Sequence, residues 1–272
     1  MTRLLFFLAL SACALLADEP FPAHHIIGNV YYVGSTEYAS YLITTPKGNI
    51  LINSSFESTV PWIRANIEKL GFKFQDTKIL LNSHAHADHV AGNALVKKLT
   101  GAQTMIMEQD VAEVESGGKG DFQYNSTWPP SKVDRVLHDN DTVELGGSKL
   151  VAHLTPGHTR GNTTWTMDAV DGGKTYHVVI IGSPNVNKGY TIVNNKKYPE
   201  IAEDFERTFR VLKSLKCDVF LGAHGNYYGM AEKYARLQKG GSNPFIDPDG
   251  YRAYVNSKEK AFRDELAQQS RQ

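Results

Sequence analysis

The chain has 272 residues, which is long enough to bury a large core in one domain or in two closely packed halves. Lys plus Arg and Asp plus Glu both number 29, so the formal net charge of zero gives no indication of nucleic acid or an anionic membrane as a partner. A hydrophobic fraction of 41% with only 11 prolines argues against wholesale disorder. We expect a folded, monomeric protein.

The first residues have the pattern of an export signal. Arg3 precedes the apolar run Leu4–Leu10, which is too short to span a bilayer permanently and is followed by small residues. We predict a signal peptide over residues 1–17 and a periplasmic mature chain, residues 18–272, that forms a single domain. The segment ending at Cys13 also has the pattern of a bacterial lipoprotein cleavage box, which predicts a signal over residues 1–12 and a lipid anchor at Cys13. The two cleavage sites stand as alternatives.

Cys13 and Cys217 are the only cysteines in the sequence. Because Cys13 is either removed or lipidated, Cys217 has no partner for an intramolecular disulfide in the mature chain. Cys217 precedes the apolar segment Val219–Leu221, and a lone cysteine in such a place is more often a small buried residue than a reactive one. We predict a free, buried thiol.

In chain order, the first part of the sequence predicts strands followed by helices. Apolar runs bounded by turn residues predict five strands, over Ile26–Val33, Ala39–Thr44, Asn49–Asn53, Lys78–Leu81 and Thr104–Met107. The helical spacing of Ile63 and Ile67 predicts a helix over Val60–Leu70, and a second helix is predicted over Val90–Leu99.

The segment Gly117–Pro130 interrupts this order. It combines glycines and paired prolines with the aromatic residues Phe122, Tyr124 and Trp128. A loop of this length that carries aromatic side chains is uncommon and is often functional, for example as a lid. The alternative is a surface excursion whose aromatic side chains pack on the body of the protein.

The second part of the sequence repeats the order of strands and then helices. Consecutive strands separated by glycine turns are predicted over residues 135–182. A helix over residues 198–215, a strand over Val219–Leu221 and a mainly helical segment from Met230 follow. This repetition predicts an α/β protein made of two similar βα halves joined face to face.

The segment from Ser83 to His89 carries the strongest chemical signal. It directly follows a predicted strand and contains His84, His86, Asp88 and His89 within six positions. Zinc takes imidazole nitrogen and carboxylate oxygen ligands, and a catalytic zinc site keeps one position open for water. His84 and His86 can reach one metal ion, and Asp88 and His89 can reach a second ion a few ångströms away. We predict two Zn²⁺ ions per chain.

Each metal ion then lacks a ligand, which has to come from distant sequence. His158 lies in the turn Thr155–Thr159 after an apolar strand, and His224 directly follows the strand Val219–Leu221. Sites commonly collect in loops at strand ends. His153 is interpreted as a residue on a strand face, with a supporting hydrogen bond near the metal as the alternative. The remaining histidines are interpreted as ordinary core or surface residues: His24, His25, His138 and His177.

This constellation resembles the metallo-β-lactamase superfamily over nearly the whole chain from Ile26 onward. The resemblance implies a four-layer αβ/βα sandwich with two zinc ions between its sheets. Four segments are similar to zinc β-lactamases of class B, third subclass, namely residues 41–48, 79–84, 155–159 and 220–224.

The resemblance also implies how the ligands divide between the two zinc ions. In that subclass three histidines bind the first zinc, which implies the set His84, His86 and His158. An aspartate and two histidines bind the second zinc, which implies the set Asp88, His89 and His224.

One position separates branches of the superfamily. Thioesterase, lactonase and nuclease members usually carry a metal-bridging aspartate after the strand that follows the His158 region, and the first β-lactamase subclass carries a cysteine ligand there. Ser183 stands at this position, as in the third subclass, which argues against thioester hydrolysis. Some members pair a cysteine equivalent to Cys217 with one near the C-terminus, and this chain has no such partner.

The function implied by the resemblance is hydrolysis of the amide bond of β-lactam antibiotics, carbapenems included, by zinc-bound hydroxide. Zinc lowers the pKa of a bound water to about 7. Asp88 is predicted to orient this nucleophile and to move its proton, and Ser183 is assigned to the catalytic residues with it. Candidate partners for a substrate carboxylate are Ser183, Asn185, Asn187 and Lys188. Candidate apolar walls are Tyr38, Phe122, Tyr124 and Trp128.

Two alternative functions use the same residues. A different hydrolase of this fold, such as a thioesterase or a lactonase acting on acyl-homoserine lactones, would share the metal ligands but normally carries the bridging aspartate. A zinc-binding or adhesion module would have saturated tetrahedral metal sites with no position for water. Metal-bound water and hydrolysis of a substrate would indicate a hydrolase, and their absence would indicate a binding module.

Overall fold

The first seven strands form one mixed sheet whose order in space is their order in the chain. A computed structural model describes residues 18–271. The strands are β1 His24–Ile27, β2 Val30–Tyr32, β3 Tyr41–Thr45, β4 Gly48–Ile52, β5 Thr77–Leu81, β6 Gln103–Met107 and β7 Arg135–Leu137. Strands β1 to β4 pair antiparallel, and β4 to β7 pair parallel.

Helices cover one face of this sheet. They are α1 Val60–Lys69, α2 Ala87–Val90, α3 Asn93–Thr100 and α4 Val111–Ser116. Leu51 and Leu80 on alternate strand positions pack with Ile63, Ile67 and Val96 from α1 and α3. The neighbouring strand positions face the opposite side and belong to the central core. The strands are apolar on both faces because both faces are covered.

Five strands form the second sheet, in the order β12-β11-β10-β9-β8. They are β8 Thr142–Leu145, β9 Ser148–Leu154, β10 Thr163–Asp171, β11 Lys174–Ile181 and β12 Val219–Gly222, and its helices are α5 Ile201–Ser214, α6 Met230–Gln238 and α7 Pro248–Gln269. Only β11 and β12 pair parallel, with α5 between them in the chain. Trp165 of β10 is buried in the central core and donates from Nε1 to the carbonyl of Asn82 at 3.1 Å. This arrangement confirms the predicted αβ/βα sandwich.

Three predicted elements differ from the structure. The strand predicted over Ile26–Val33 is a hairpin, because Gly28 adopts a positive φ of 52° and reverses the chain. The helix predicted over Val90–Leu99 is two helices with a break at Gly92, where a Cβ would lie 2.7 Å from the Ser54 carbonyl oxygen. Strand β7, predicted with the second group of strands, pairs with β6 in the first sheet.

The N-terminal predictions fall outside the part of the chain that the structure describes. The signal peptide over residues 1–17, the cleavage box at residues 10–13 and the lipid anchor at Cys13 all lie there. Among residues 18–271, no helix combines the length and the apolar character needed to cross a membrane.

Candidate metal centre

The loop after β5 presents four candidate ligands because it turns directly from a strand into a short helix. His86 has extended backbone (φ −111°, ψ 153°) and immediately precedes α2, while its carbonyl accepts hydrogen bonds from the amides of His89 and Val90. Asp88 and His89 therefore lie on one helical turn, and His84 lies in the extended segment before it. This local geometry explains how six consecutive residues can serve two neighbouring metal ions.

A tight turn after β9 places His158. Gly157 has a φ of 117°, which L side chains rarely adopt, and its amide donates to the Thr159 carbonyl at 2.9 Å. The Nδ1 of His158 lies 2.8 Å from the Asn185 carbonyl oxygen. Since a carbonyl only accepts, Nδ1 carries the proton and donates it, which leaves Nε2 available to a metal ion.

The loop after β12 places His224 against the first half of the protein. The amide of Ala39 donates to the Ala223 carbonyl at 3.0 Å, and the amide of Gly225 donates to the Glu37 carbonyl at 3.1 Å. Tyr38 and His224 therefore pair as an isolated antiparallel bridge, with their rings 5.6 Å apart. The second half of the protein brings its ligand to the first by backbone pairing.

The six predicted ligands meet at one edge of the two sheets. The ligand atoms of His84, His86 and His158 lie within 4.8 Å of one another, as do those of His84, Asp88 and His89. His224 stands outside both groups, but its Nε2 lies 3.5 Å from Asp88 Oδ2. His84 thus belongs to both groups, which lie side by side.

The environment keeps these side chains in the protonation states that bind metals. Burial, with the neighbouring histidines, lowers the pKa of His84 and His158 well below 6.5 and lowers the pKa of His224 to about 4. Burial alone would raise the pKa of Asp88, but the charge and hydrogen bond of His89 hold it well below its usual range. At pH 7 the imidazoles of His84, His158 and His224 are therefore neutral and the Asp88 carboxyl is ionised, as metal ligation requires.

Buried imidazole nitrogens without partners test whether a metal ion fits here. The Nε2 atoms of His84, His86 and His89 are buried without a hydrogen-bond partner among residues 18–271. Buried polar atoms are normally paired, and neutral imidazole nitrogens that converge without partners are a ligand set for zinc. The residues present therefore fit a zinc ion.

A pocket of about 440 Å³ opens beside these ligands. It is lined by the ligands His86, Asp88, His158 and His224 and by polar and aromatic side chains: Glu37, Tyr38, Phe56, Asp121, Tyr124, Ser126, Trp128, Asn185, Asn187, Asn226 and Tyr227. A cavity of this size holds a small molecule.

The segment Gly117–Pro130 forms one wall of this pocket. Its Tyr124 ring lies edge-on to His86 with centroids 5.0 Å apart, and the Tyr124 hydroxyl accepts a hydrogen bond from Asn187 Nδ2 at 2.9 Å. Phe122 is buried in the core and packs on Tyr190 and Tyr198, away from the pocket. The segment thus packs on the core through Phe122 and lines the pocket through Tyr124. The prediction that Phe122 forms part of the pocket wall is wrong.

Two predicted substrate contacts lie elsewhere. Ser183 is fully buried and does not line the pocket, because its side chain turns inward and its Oγ lies 3.1 Å from the Tyr227 hydroxyl. Lys188 is exposed on the loop beyond Asn187 and does not line the pocket either. Ser183 and Lys188, which were predicted to contact a substrate, therefore lie outside the pocket, whereas Asn185 and Asn187 line it.

Tyr227 and Asp121 are two of the pocket-lining residues that the sequence analysis missed. Tyr227 places its hydroxyl 2.8 Å from Asn185 Nδ2, and its ring lies 4.9 Å from that of His224. Asp121 Oδ2 lies 3.6 Å from His86 Nε2. The position of Tyr227 three residues after His224 was the only signal, and a spacing of that kind does not distinguish a pocket residue from a core tyrosine.

The histidines interpreted as ordinary residues lie away from the pocket. His24 is buried, with Nδ1 2.8 Å from the Pro22 carbonyl oxygen and its ring stacked on Tyr32. His153 lies on β9 with Nε2 2.8 Å from Thr166 Oγ1, which agrees with a strand-face residue. Cys217 is buried and free, as predicted, and burial raises the pKa of its thiol to about 12.

Two stacked sheets with a histidine-rich cluster at their common edge define a metal-dependent hydrolase of the αβ/βα type. The family model for the metallo-beta-lactamase superfamily matches residues 35–169. The chain belongs to the metallo-β-lactamase superfamily, because it is also 54% identical to the native FEZ-1 metallo-beta-lactamase from Legionella gormanii, with a TM-score of 0.92 over 93% of this chain and 98% of that one.

Other solved structures extend the similarity to a subclass. BJP-1, a subclass B3 metallo-beta-lactamase of Bradyrhizobium japonicum, is 40% identical with a TM-score of 0.87 over 93% of this chain and 96% of that one. The class B3 di-zinc enzyme LRA-12 from an Alaskan soil metagenome is 35% identical with a TM-score of 0.87 over 90% of this chain and 94% of that one. The resemblance to the third subclass is confirmed.

Curated relatives match over shorter segments. A probable metallo-hydrolase of Methanocaldococcus jannaschii is 27% identical over 45% of this chain, and a hydroxyacylglutathione hydrolase of Maricaulis maris is 28% identical over 32% of it. The chain spans 59% of the first relative and 27% of the second.

Proposed function

We propose that this protein opens the amide bond of β-lactams in a zinc-dependent hydrolysis. The observation that carries the proposal is the ligand cluster beside a pocket of about 440 Å³, in a chain 54% identical to the FEZ-1 metallo-beta-lactamase. We propose carbapenems among its substrates on the strength of the subclass resemblance.

Two zinc ions are proposed, each with three protein ligands. The first set is His84, His86 and His158, whose ligand atoms lie within 4.8 Å of one another. The second set is Asp88, His89 and His224, and the separations of 3.2 and 3.5 Å from Asp88 to the two histidines suit ligands of one ion. The neighbouring structure of LRA-12 is described as di-zinc, which supports a second ion.

With three protein ligands each, the two ions would keep a position for water, and zinc would lower the pKa of that water to about 7 and so supply a nucleophile at neutral pH. Asp88 lines the pocket with an ionised carboxylate, so its oxygens can accept a proton from the attacking water and pass it to the leaving nitrogen. Tyr124 and Trp128 shield this step from bulk water on one side. No serine nucleophile is needed.

The substrate carboxylate is assigned to the wall that carries Asn185, Asn187 and Tyr227. The Tyr227 hydroxyl lies between Asn185 Nδ2 at 2.8 Å and Ser183 Oγ at 3.1 Å. The side chains on this wall are Ser183, Asn185, Asn187 and Tyr227. Together they have more donor hydrogens than the hydrogen bonds among them use, so at least one donor remains to bind an anion. Ser183 acts here through Tyr227, since it is itself buried.

A thioesterase or lactonase of the same fold is the alternative, since one curated relative is a hydroxyacylglutathione hydrolase. Ser183 stands where such enzymes usually carry a bridging aspartate, and this favours β-lactams.

The test compares substrates and histidine variants. The protein should hydrolyse a chromogenic cephalosporin and imipenem, and acyl-homoserine lactones and hydroxyacyl thioesters should be poor substrates. His86→Ala and His158→Ala should lose most of the activity, whereas His153→Ala, a histidine on β9 outside the pocket, should keep it. Lactone or thioester turnover without β-lactam turnover would overturn the substrate class and leave the metal centre standing.

We propose that the mature chain is periplasmic and monomeric, with a lipid anchor at Cys13 if the cleavage box is used. The N-terminal pattern of residues 3–13 supports export. Mass spectrometry of the native protein distinguishes a lipidated Cys13 from a mature N-terminus at Asp18.

A further inference from the structure

Asp110 is a buried carboxylate that the proposed reaction does not use. It lies in the single 3-10 turn between β6 and α4, and only 2% of its surface is exposed. Its Oδ2 accepts hydrogen bonds from the amide of Ala85 and from Thr159 Oγ1, both at 2.8 Å. Its Oδ1 accepts from the amide of Gly161 at 2.7 Å. A buried charge is retained only where it is well paired, so three donors on one carboxylate require an explanation.

The three donors belong to the two loops that supply the first ligand set. Ala85 stands between His84 and His86, whereas Thr159 directly follows His158. Asp110 is 25 residues from Ala85 and 49 from Thr159 along the chain, so it joins two segments that no local structure connects.

Close packing at Gly161 fixes the same geometry. A Cβ at that position would lie 2.6 Å from the Asp110 carboxyl carbon, so the loop approaches the carboxylate as closely as a backbone can. A second link between the loops is the hydrogen bond from the Thr163 amide to the Ser83 carbonyl at 2.7 Å. Asp110 differs from this second link because it hydrogen-bonds to residues directly beside metal ligands in both loops.

We infer that Asp110 is a positioning residue for the first metal site, holding the His84–His86 loop and the His158 loop at the separation that one ion requires. The inference rests on the proposed ligand set and not on the identity of the substrate. Groups that orient metal ligands through hydrogen bonds commonly change metal affinity by about 10–100-fold when they are replaced.

Asp110→Asn is the direct test because it preserves size and shape. An amide offers one acceptor oxygen and one NH₂ group. If the NH₂ takes the place of Oδ2 it faces the Ala85 amide, and if it takes the place of Oδ1 it faces the Gly161 amide. Either orientation sets two donors against each other, so one loop must move. We expect zinc binding, measured by competition with a chromophoric chelator, to weaken by about 10–100-fold. The visible absorption of the cobalt(II)-substituted protein should change as well.

Asn66→Asp is the matched control. Asn66 is buried in α1 outside the pocket and donates from Nδ2 to the carbonyls of Phe21, Val33 and Gly34 at 3.0–3.2 Å. Asn66→Asp exchanges an amide for a carboxylate of the same shape, the reverse of Asp110→Asn. It should lower thermal stability and leave zinc affinity and the cobalt spectrum unchanged.

Thr159→Val is the second test of the inference, for use if Asp110→Asn does not fold. It removes one of the three hydrogen bonds and should weaken zinc binding by a smaller factor. Wild-type zinc affinity in Asp110→Asn, or in Thr159→Val where the first variant does not fold, would overturn the inference. Zinc affinity is read without any substrate, so a failure of the β-lactam assignment would leave this result interpretable.

Discussion

Gly157→Ala should damage both stability and metal binding, because Gly157 combines an unusual backbone conformation with a close contact. Its φ of 117° is rare for residues with a Cβ, and an added Cβ would lie 2.7 Å from Phe205 Cγ. The backbone strain costs about 1–3 kcal/mol. Overpacking against a buried ring costs about 1–3 kcal/mol more. We expect a loss of about 2–6 kcal/mol in the free energy of unfolding.

Urea unfolding of the metal-free protein measures this loss, and a matched glycine separates its two causes. Gly101 also has a positive φ, 72°, but nothing lies within 4 Å of an added Cβ, so Gly101→Ala should cost only about 1–2 kcal/mol. In the Gly157→Ala background, Phe205→Leu should recover part of the steric cost. Because His158 follows directly, zinc affinity should fall in Gly157→Ala and not in Gly101→Ala. Equal losses in the two alanine variants with unchanged zinc affinity would refute the reasoning.

Three further predictions concern single side chains. Burial lowers the pKa of His24 to about 4, so the unfolded chain, with its ordinary value of 6.5, binds more protons between these values. The stability of the zinc-free protein should fall by about 3 kcal/mol from pH 7 to pH 4 through this residue alone. His24→Phe should show a correspondingly smaller fall in urea unfolding, and an identical pH profile would contradict the assignment. Cys217→Ser should leave zinc content by elemental analysis and activity nearly unchanged, and loss of one zinc would show that Cys217 is a ligand. Tyr227→Phe should raise KM for carboxylated β-lactams by about tenfold or more with a smaller change in kcat, and steady-state kinetics with unchanged KM would remove Tyr227 from substrate binding.

Local sequence predicted the parts of the site that depend on one segment. The spacing of His84, His86, Asp88 and His89 after an apolar strand is enough to place them together, because strand ends and the following turn fix their directions. The alternation of apolar residues likewise predicted most strands. The hairpin at Gly28 depends on a positive φ, and the helix break at Gly92 depends on close packing. The spacing of hydrophobic residues records neither, so both positions were predicted wrongly.

Contacts between distant segments could not be predicted in this way. Ser183 lies at the expected end of β11, yet whether its side chain faces the pocket or Tyr227 depends on how the two loops pack. Asp110 is an ordinary acidic residue in sequence, and its three partners come from segments 25 to 51 residues away. Such roles follow only from the way the two halves meet.

The most direct test of the central claim is β-lactam hydrolysis by the metal-free protein as zinc is added back. The six ligands in two sets predict no hydrolysis of a chromogenic cephalosporin after EDTA treatment, and activity that returns with zinc and saturates at two ions per chain. Clavulanate, which acylates serine nucleophiles, should not inhibit the restored enzyme. Hydrolysis that persists without zinc, or zinc binding that never restores hydrolysis, would contradict the account.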